Sequence, residues 1–81
     1  MFERGQVVIS LAGRDCGHLL AVMSTDEAYA YVCDGKERPL DNPKRKNLRH
    51  ISEIGRTLTE TQMNSDRALR KALAIISADM K

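Results

Sequence analysis

The stretch that decides the fold runs from residue 5 to residue 22 and reads GQVVISLAGRDCGHLLAV. Its first half alternates along the chain. One side carries the apolar residues Val7, Ile9 and Leu11, and the other carries Gln6, Val8 and Ser10. Such alternation predicts a strand with one buried face. Gly13 and Gly17 then bracket a charged loop, and an apolar run follows at once. This spacing predicts a β-hairpin turn, because glycine adopts backbone geometry that a side chain blocks.

Short strands and turns continue after this hairpin. Strands are predicted at residues 18–24, 28–33, 38–40 and 48–54, and the turns between them are STDE (24–27), DGKE (34–37) and DNP (41–43). The strand 18–24 is apolar on both faces, so we expect it to be central in its sheet. Short strands joined by turns indicate a small barrel or sandwich. Full closure would hide the sheet edges.

The character of the sequence changes after Gly55. Residues 56–63 are polar and rich in Thr, which indicates a connector between a barrel domain at 1–55 and a helix at 64–80. Asn64 or Ser65 suits the helix cap, and Asp66 suits the first turn. An apolar stripe follows at helical spacing, made of Ala68, Leu69, Ala72, Leu73, Ile76 and Met80. We expect this amphipathic helix to pack on or near the barrel, or else to dock on a partner.

Composition restricts the class of protein. Eighty-one residues make one small domain without space for a deep, walled pocket, so we do not expect an enzyme. The start of the chain shows no apolar core of signal-peptide length, and no segment approaches the ~20 apolar residues that span a bilayer. The two cysteines have no disulfide pattern. These features predict a cytoplasmic protein with reduced thiols and no membrane contact.

The residue types in and near the glycine loop occur in three kinds of chemical site. A phosphate-binding P-loop needs wider glycine spacing, a following Lys and a helix, but here a strand follows Gly17. Zinc would require Cys16, His18, Cys33 and His50, which do not form paired knuckles. A nucleophilic dyad of Cys16 and His18 has no third residue to orient it. We therefore predict no catalytic residue, no metal and no cofactor.

Positive charge is concentrated in the second half of the chain. Residues 1–40 carry four basic and six acidic side chains, whereas residues 41–81 carry nine basic and five acidic ones. Four of those nine lie in the run PKRKNLRH, residues 43–50. We expect Lys44, Arg45, Lys46, Arg49 and His50 to lie in and just after a loop, where cations contact phosphates without being buried.

Tyr29 and Tyr31 project to one side of a strand, where two rings can stack on unpaired bases or cover the end of the core.

These residues resemble a known family. Residues 5–22 look like the KOW motif, in which apolar alternation leads into Gly-x-Asp-x-Gly and a second apolar run. The continuation, YVCDG (31–35) and RPLDNPKRKNLRHI (38–51), is similar to small bacterial KOW-domain proteins that are related to large-subunit ribosomal proteins of eukaryotes and archaea. The resemblance covers residues 4 to 54. It is looser over the helix, where Arg70-Lys71-Ala72-Leu73 is similar to the family's usual ending.

The resemblance implies an SH3-like β-barrel that binds RNA, in particular ribosomal RNA, and that contacts ribosomal proteins. In that family the first loop faces the RNA, which adds Arg14 and His18 to the expected binding residues. One position departs from the motif: the residue after the Asp is commonly Lys or Arg, but here it is Cys16. The expected function is a non-catalytic, ribosome-associated RNA-binding module in translation.

A second function class stays open. SH3-like barrels also bind peptides and proteins, because a fold does not fix a function. In a protein-interaction adaptor, the contact surface would be the Tyr pair or the helix stripe of Leu69, Leu73 and Ile76.

Overall fold

One antiparallel sheet organises the chain. The computed structural model describes residues 2–80. In that range the strands are β1 (Gln6–Ser10), β2 (Leu19–Thr25), β3 (Tyr29–Cys33), β4 (Lys44–Asn47) and β5 (Ile51–Thr57). Two 3₁₀ turns cover Leu48–His50 and Thr61–Met63, and helix α1 covers Asp66–Asp79. The sheet order is β4-β3-β2-β1-β5, so the strand with two apolar faces, β2, lies in the middle as predicted.

The inner face of the sheet is concave and encloses an apolar cluster. The cluster draws its members from four strands and consists of Val8, Leu20, Val22, Ala30, Val32 and Ile51. Because strands of a single sheet supply the whole cluster, the sheet curves around its own face, and the fold is a small SH3-like barrel with a C-terminal helix. The barrel is not fully closed. Within residues 2–80, β4 and β5 form the two edges and do not pair with each other.

Helix α1 covers the part of the outer face formed by β1, β2 and the end of β3. A second apolar cluster joins the strands to the helix and includes Val7, Ala21, Cys33, Leu69, Leu73 and Ile76. For this reason β1 is buried on both faces, and the prediction of one buried face is wrong: Val7 and Val8 are both fully buried. Leu11, assigned to the buried side, lies beyond the strand and is 52% exposed.

Helix α1 begins where the sequence predicts and is fastened to the loop between β3 and β4. The Ser65 hydroxyl accepts a hydrogen bond from the Ala68 N–H at 3.1 Å, which caps the helix. The Asp66 carboxylate accepts the Leu40 N–H at 2.7 Å. Gly35 packs against the backbone of the same first turn. The stripe is buried at four of its six predicted positions; Ala68 is only half-buried, and Met80, beyond the last helical residue, is 52% exposed.

Two strands predicted from the sequence, 38–40 and 48–54, are wrong in place or in bounds. Residues 38–40 form a loop, because the Asp34 carboxylate takes the N–H groups of Lys36 and Arg38, and Pro39 has none. Residues 48–50 form a 3₁₀ turn, capped by the Asn47 side chain. The last strand continues to Thr57, two residues into the predicted connector. The connector also supplies Leu58 and Met63 to the core.

Gly35 gives a direct test of the contact between loop and helix. Its φ is +80°, and a Cβ there would collide with the Asp66 carbonyl oxygen and lie 3.0 Å from the Arg70 nitrogen. We expect Gly35→Ala to lower the free energy of unfolding by about 3 kcal/mol, because backbone strain and overpacking act together. Urea denaturation followed by circular dichroism measures the change.

Gly55 is the matched control for this substitution. It has the same φ of +80°, but no atom lies within 4 Å of its Cβ position. Gly55→Ala should therefore cost only the strain, about 1 kcal/mol. Equal losses in the two variants would contradict the proposed packing of Gly35 on α1.

Candidate nucleic-acid interface

A buried ion pair holds the turn between β1 and β2. The Lys46 ammonium donates to Asp15 Oδ1 at 2.7 Å and to the Ala12 carbonyl at 2.7 Å. The Ser10 hydroxyl donates to the same Asp15 oxygen at 3.1 Å. The side chains of Lys46 and Asp15 are only 6% and 7% exposed. The turn is thus fastened through its aspartate to the edge strand β4.

The electrostatics of this pair favour the charged form of Asp15. Burial acts to raise the pKa of Asp15, but the hydrogen bonds from Lys46 and Ser10 and the positive charge of Lys46 outweigh it. The pKa of Asp15 consequently lies below its ordinary value. The aspartate contributes stability at a pH above the pKa of the unfolded chain and loses that contribution as the pH falls through the folded pKa.

The position of Lys46 corrects a prediction. It was expected to present an exposed cation, yet β4 places it opposite Ala30, on the inner face of the sheet. Side chains alternate along a strand, so Lys46 points inward while its neighbour Arg45 is exposed. In this structure the Lys46 ammonium is already occupied by Asp15 and Ala12 and does not reach the surface.

Arg45 and the two tyrosines come together on the outer face of β3 and β4. The guanidinium carbon of Arg45 lies 4.5 Å from the centroid of the Tyr29 ring. Arg45 is also the direct cross-strand partner of Tyr31. Both rings are half-buried, so one face or edge of each remains open to solvent. We call Tyr29, Tyr31 and Arg45 the aromatic patch.

Asp26 orients the aromatic patch from the turn between β2 and β3. Its Oδ1 accepts the N–H groups of Ala28 and Tyr29, at 3.0 and 2.8 Å. Its Oδ2 accepts the Tyr31 hydroxyl at 2.9 Å. These backbone bonds, together with the bond from Tyr31, lower the pKa of Asp26, and the same hydroxyl bond raises the pKa of Tyr31. The Tyr31 ring is therefore held by a charge-assisted bond rather than by packing alone.

The remaining residues of the basic run lie near the ends of β4. Lys44 begins the strand and is half-buried. Arg49 and His50 stand exposed on the 3₁₀ turn that follows it. The His50 carbonyl accepts the Leu11 N–H at 2.8 Å, which ties this turn to the beginning of the glycine loop. The basic run is thus a strand and a turn, not the loop that was expected.

Arg14 and His18 line a depression that the sequence did not reveal. It has a volume of about 300 Å³ and lies between the glycine loop, which also supplies Asp15, and the loop after β3, which supplies Glu37 and Arg38. Arg38 was missed because it stands outside the basic run, five residues before Pro43, and 21 residues after Gly17. The only available signal was its place between the Asp34-Gly35 turn and Pro39.

The cysteines and histidines lie in different surroundings. Cys16 and His18 are exposed in the glycine loop, His50 is exposed on the 3₁₀ turn, and Cys33 is buried beneath α1. In the described range, 2–80, no three His, Cys, Asp or Glu side chains group in a way that could hold a metal ion. Burial raises the pKa of the Cys33 thiol to about 11, with Asp66, Asp34 and Asp41 adding to the effect.

Comparison with known proteins adds no relative. No protein-family model matches the chain, and no curated protein matches it. The similarity to KOW-domain proteins stays a prediction from the residues quoted above. Among residues 2–80, no helix has the length and apolar character required to cross a bilayer.

The buried ion pair predicts an asymmetric response to substitution. Lys46→Met should lower the free energy of unfolding at neutral pH by about 3–5 kcal/mol, because it leaves the Asp15 carboxylate buried without a counter-charge. The double variant Asp15→Asn/Lys46→Met should recover most of this loss. Urea unfolding of wild type and both variants measures the three values.

The pH dependence checks the cause of that loss. Without Lys46, burial of Asp15 is opposed mainly by the Ser10 hydrogen bond, so the pKa of Asp15 in the folded variant should rise and the deficit of Lys46→Met should shrink as the pH falls toward about 3. A deficit that is independent of pH, or a double variant as unstable as the single one, would contradict the role given to the pair.

The two thiols should differ sharply in reactivity. At pH 8 a disulfide reagent such as Ellman's should label Cys16 quickly and Cys33 at least about a hundredfold more slowly, because the Cys33 thiolate is scarce and enclosed. Cys16→Ser is the control, and it should remove the fast phase only. Two fast phases in the folded protein would contradict the burial of Cys33.

Proposed function

We propose that this chain is a non-catalytic RNA-binding module that associates with the ribosome. The aromatic patch is the observation that carries the proposal. A guanidinium stacked on one tyrosine, with a second tyrosine held beside it, offers both a cation for a phosphate and flat surfaces for unpaired bases.

The position of the patch suits an extended ligand. β4 is an edge strand, so one of its sides is free of a neighbouring strand within residues 2–80. Lys44 and Arg45 lie along this edge, and Arg49 and His50 continue it onto the 3₁₀ turn. A single strand of RNA that follows the edge would meet cations along its backbone while its bases reach the tyrosines.

Two further considerations support RNA over a protein partner. The first is the sequence resemblance to KOW-domain proteins, which is also the reason for naming ribosomal RNA and ribosomal proteins as the partners. The second is the helix stripe, which an adaptor would use: Leu69, Leu73 and Ile76 are at most 6% exposed because they pack on the barrel. A protein-interaction adaptor would therefore have to bind its partner through the same aromatic patch.

Arg45 and Tyr29 provide the test of this function. Fluorescence anisotropy with a short single-stranded RNA and with deproteinised ribosomal RNA should give a Kd about tenfold higher for Tyr29→Ala, since one stacked base is lost. Arg45→Gln should weaken binding and reduce the slope of log Kd against log salt by about 1. Lys46 is left unchanged, because its loss would confound folding with binding.

Matched controls separate the patch from general charge and from folding. Arg67→Gln removes an exposed cation of α1 and should leave the Kd nearly unchanged. Tyr29→Phe keeps the ring and should retain binding. Unchanged RNA affinity in both Arg45→Gln and Tyr29→Ala, or capture of ribosomal proteins that survives ribonuclease and high salt, would overturn the proposal.

A further inference from the structure

The depression at the glycine loop is a separate feature from the aromatic patch. One wall comes from the loop between β1 and β2, which supplies Arg14 and His18. The other wall comes from the loop after β3, which supplies Glu37 and Arg38. With a volume of about 300 Å³, the depression has room for a small group such as a phosphate, but not for a folded partner.

Two side chains of this lining carry a buried polar atom without a hydrogen-bond partner: Asp15, at Oδ2, and Arg38, at Nε. Asp15 Oδ1 is paired with Lys46, whereas the Arg38 guanidinium forms no ion pair within residues 2–80. A buried donor without an acceptor lowers stability, and a charged one more so. Arg38 is therefore a half-buried cation without a counter-charge at the wall of a depression, where an entering anion would supply one.

Both walls are held firmly. On the Arg38 side, Asp34 Oδ1 accepts the Lys36 and Arg38 N–H groups at 2.9 Å each, and the Arg38 carbonyl accepts two further N–H groups. On the other side, the Asp15–Lys46 pair fixes the loop, and the His18 N–H donates to the Asp15 carbonyl at 2.9 Å. The backbone on both sides of the depression is thus fixed before any ligand arrives, which reduces the entropy lost on binding.

The charge of the lining favours an anion. Arg14 and Arg38 are cations, and the charge of Asp15 is opposed by Lys46, whose ammonium lies 2.7 Å from Oδ1, while Asp15 Oδ2 has no partner. Glu37 is the other acidic residue of the lining, and it is exposed. His18 also lines an adjoining depression with Lys36 and Arg70, where the carboxylate of Asp34 already accepts two backbone N–H groups.

We propose that Arg14, His18 and Arg38 form a binding site for a single phosphate group. Guanidinium groups donate two parallel hydrogen bonds to phosphate oxygens, and the imidazole supplies a further N–H. The occupant is either a terminal phosphate, free or on a nucleotide, or a phosphate within an RNA chain. The RNA source rests on the function proposed above, whereas the site itself does not.

Inorganic phosphate is the first probe. Titration of the full chain, followed by the arginine Nε–H and histidine signals in NMR spectra, should shift Arg38 and His18 together along one binding curve. Arg38→Gln and Arg14→Gln should each weaken binding on the order of tenfold, since each removes a charge-assisted bond. Arg38→Gln also removes the buried unpartnered donor, so the fold should be retained.

Two further variants make the test specific. Glu37→Gln removes the opposing charge and should strengthen phosphate binding, whereas Arg67→Gln, with the same loss of charge on α1, should not change it. Absence of a saturable shift, or a uniform drift of all arginine signals, would overturn the site. A loss of affinity as large in Arg67→Gln as in Arg38→Gln would do the same.

The source of the phosphate is decided with three ligands: a nucleoside monophosphate, an RNA carrying a 5′-phosphate and the same RNA with a 5′-hydroxyl. Preference for the first two indicates a terminal phosphate, and equal binding of both RNAs, weakened by Arg38→Gln, indicates a phosphate within the chain.

If no RNA binds but inorganic phosphate does, the proposed function fails and the phosphate site stands. If RNA binding depends on Arg45 but not on Arg38, and inorganic phosphate does not bind, only the site fails.

Discussion

The buried ion pair between Asp15 and Lys46 is the interaction on which the rest of the structure depends. It joins the first hairpin turn to the edge strand β4, which lies two strands from β2 in the sheet order. The barrel is open between β4 and β5, and a backbone bond from the Leu11 N–H to the His50 carbonyl also links the glycine loop to the turn after β4. The charged pair adds a side-chain link, and burial makes the loss of either partner costly. The same pair holds the wall of the phosphate-sized depression.

The second support of the fold is the contact between α1 and the loop after β3. Gly35 lets the loop backbone lie against the first turn of the helix, and Asp66 receives the Leu40 N–H. In a domain this small, one barrel interior is a modest core, and the helix adds a second apolar cluster on the outer face. The helix is thus part of the fold and not an appendage.

The cations are divided between structure and surface. Lys46 is used inside the barrel, Arg45 stacks on Tyr29, and Arg38 and Arg14 face the depression. The basic run at residues 43–50 therefore does not form one continuous cationic surface. Two neighbours in the run, Arg45 and Lys46, have opposite roles because a strand turns successive side chains to opposite faces.

The sequence by itself determined the class of fold, the middle strand, the capped helix and the glycine turn, because alternation, helical spacing and turn residues are local signals. It misplaced the strand at 38–40 and the start of the last strand, because Asp34 and Asn47 accept backbone N–H groups in ways that spacing does not reveal. Only the tertiary structure decided which cation is buried, because that depends on the register between β3 and β4. It also decided that Arg38 meets Arg14 and His18, since separate loops come together only when the sheet curls.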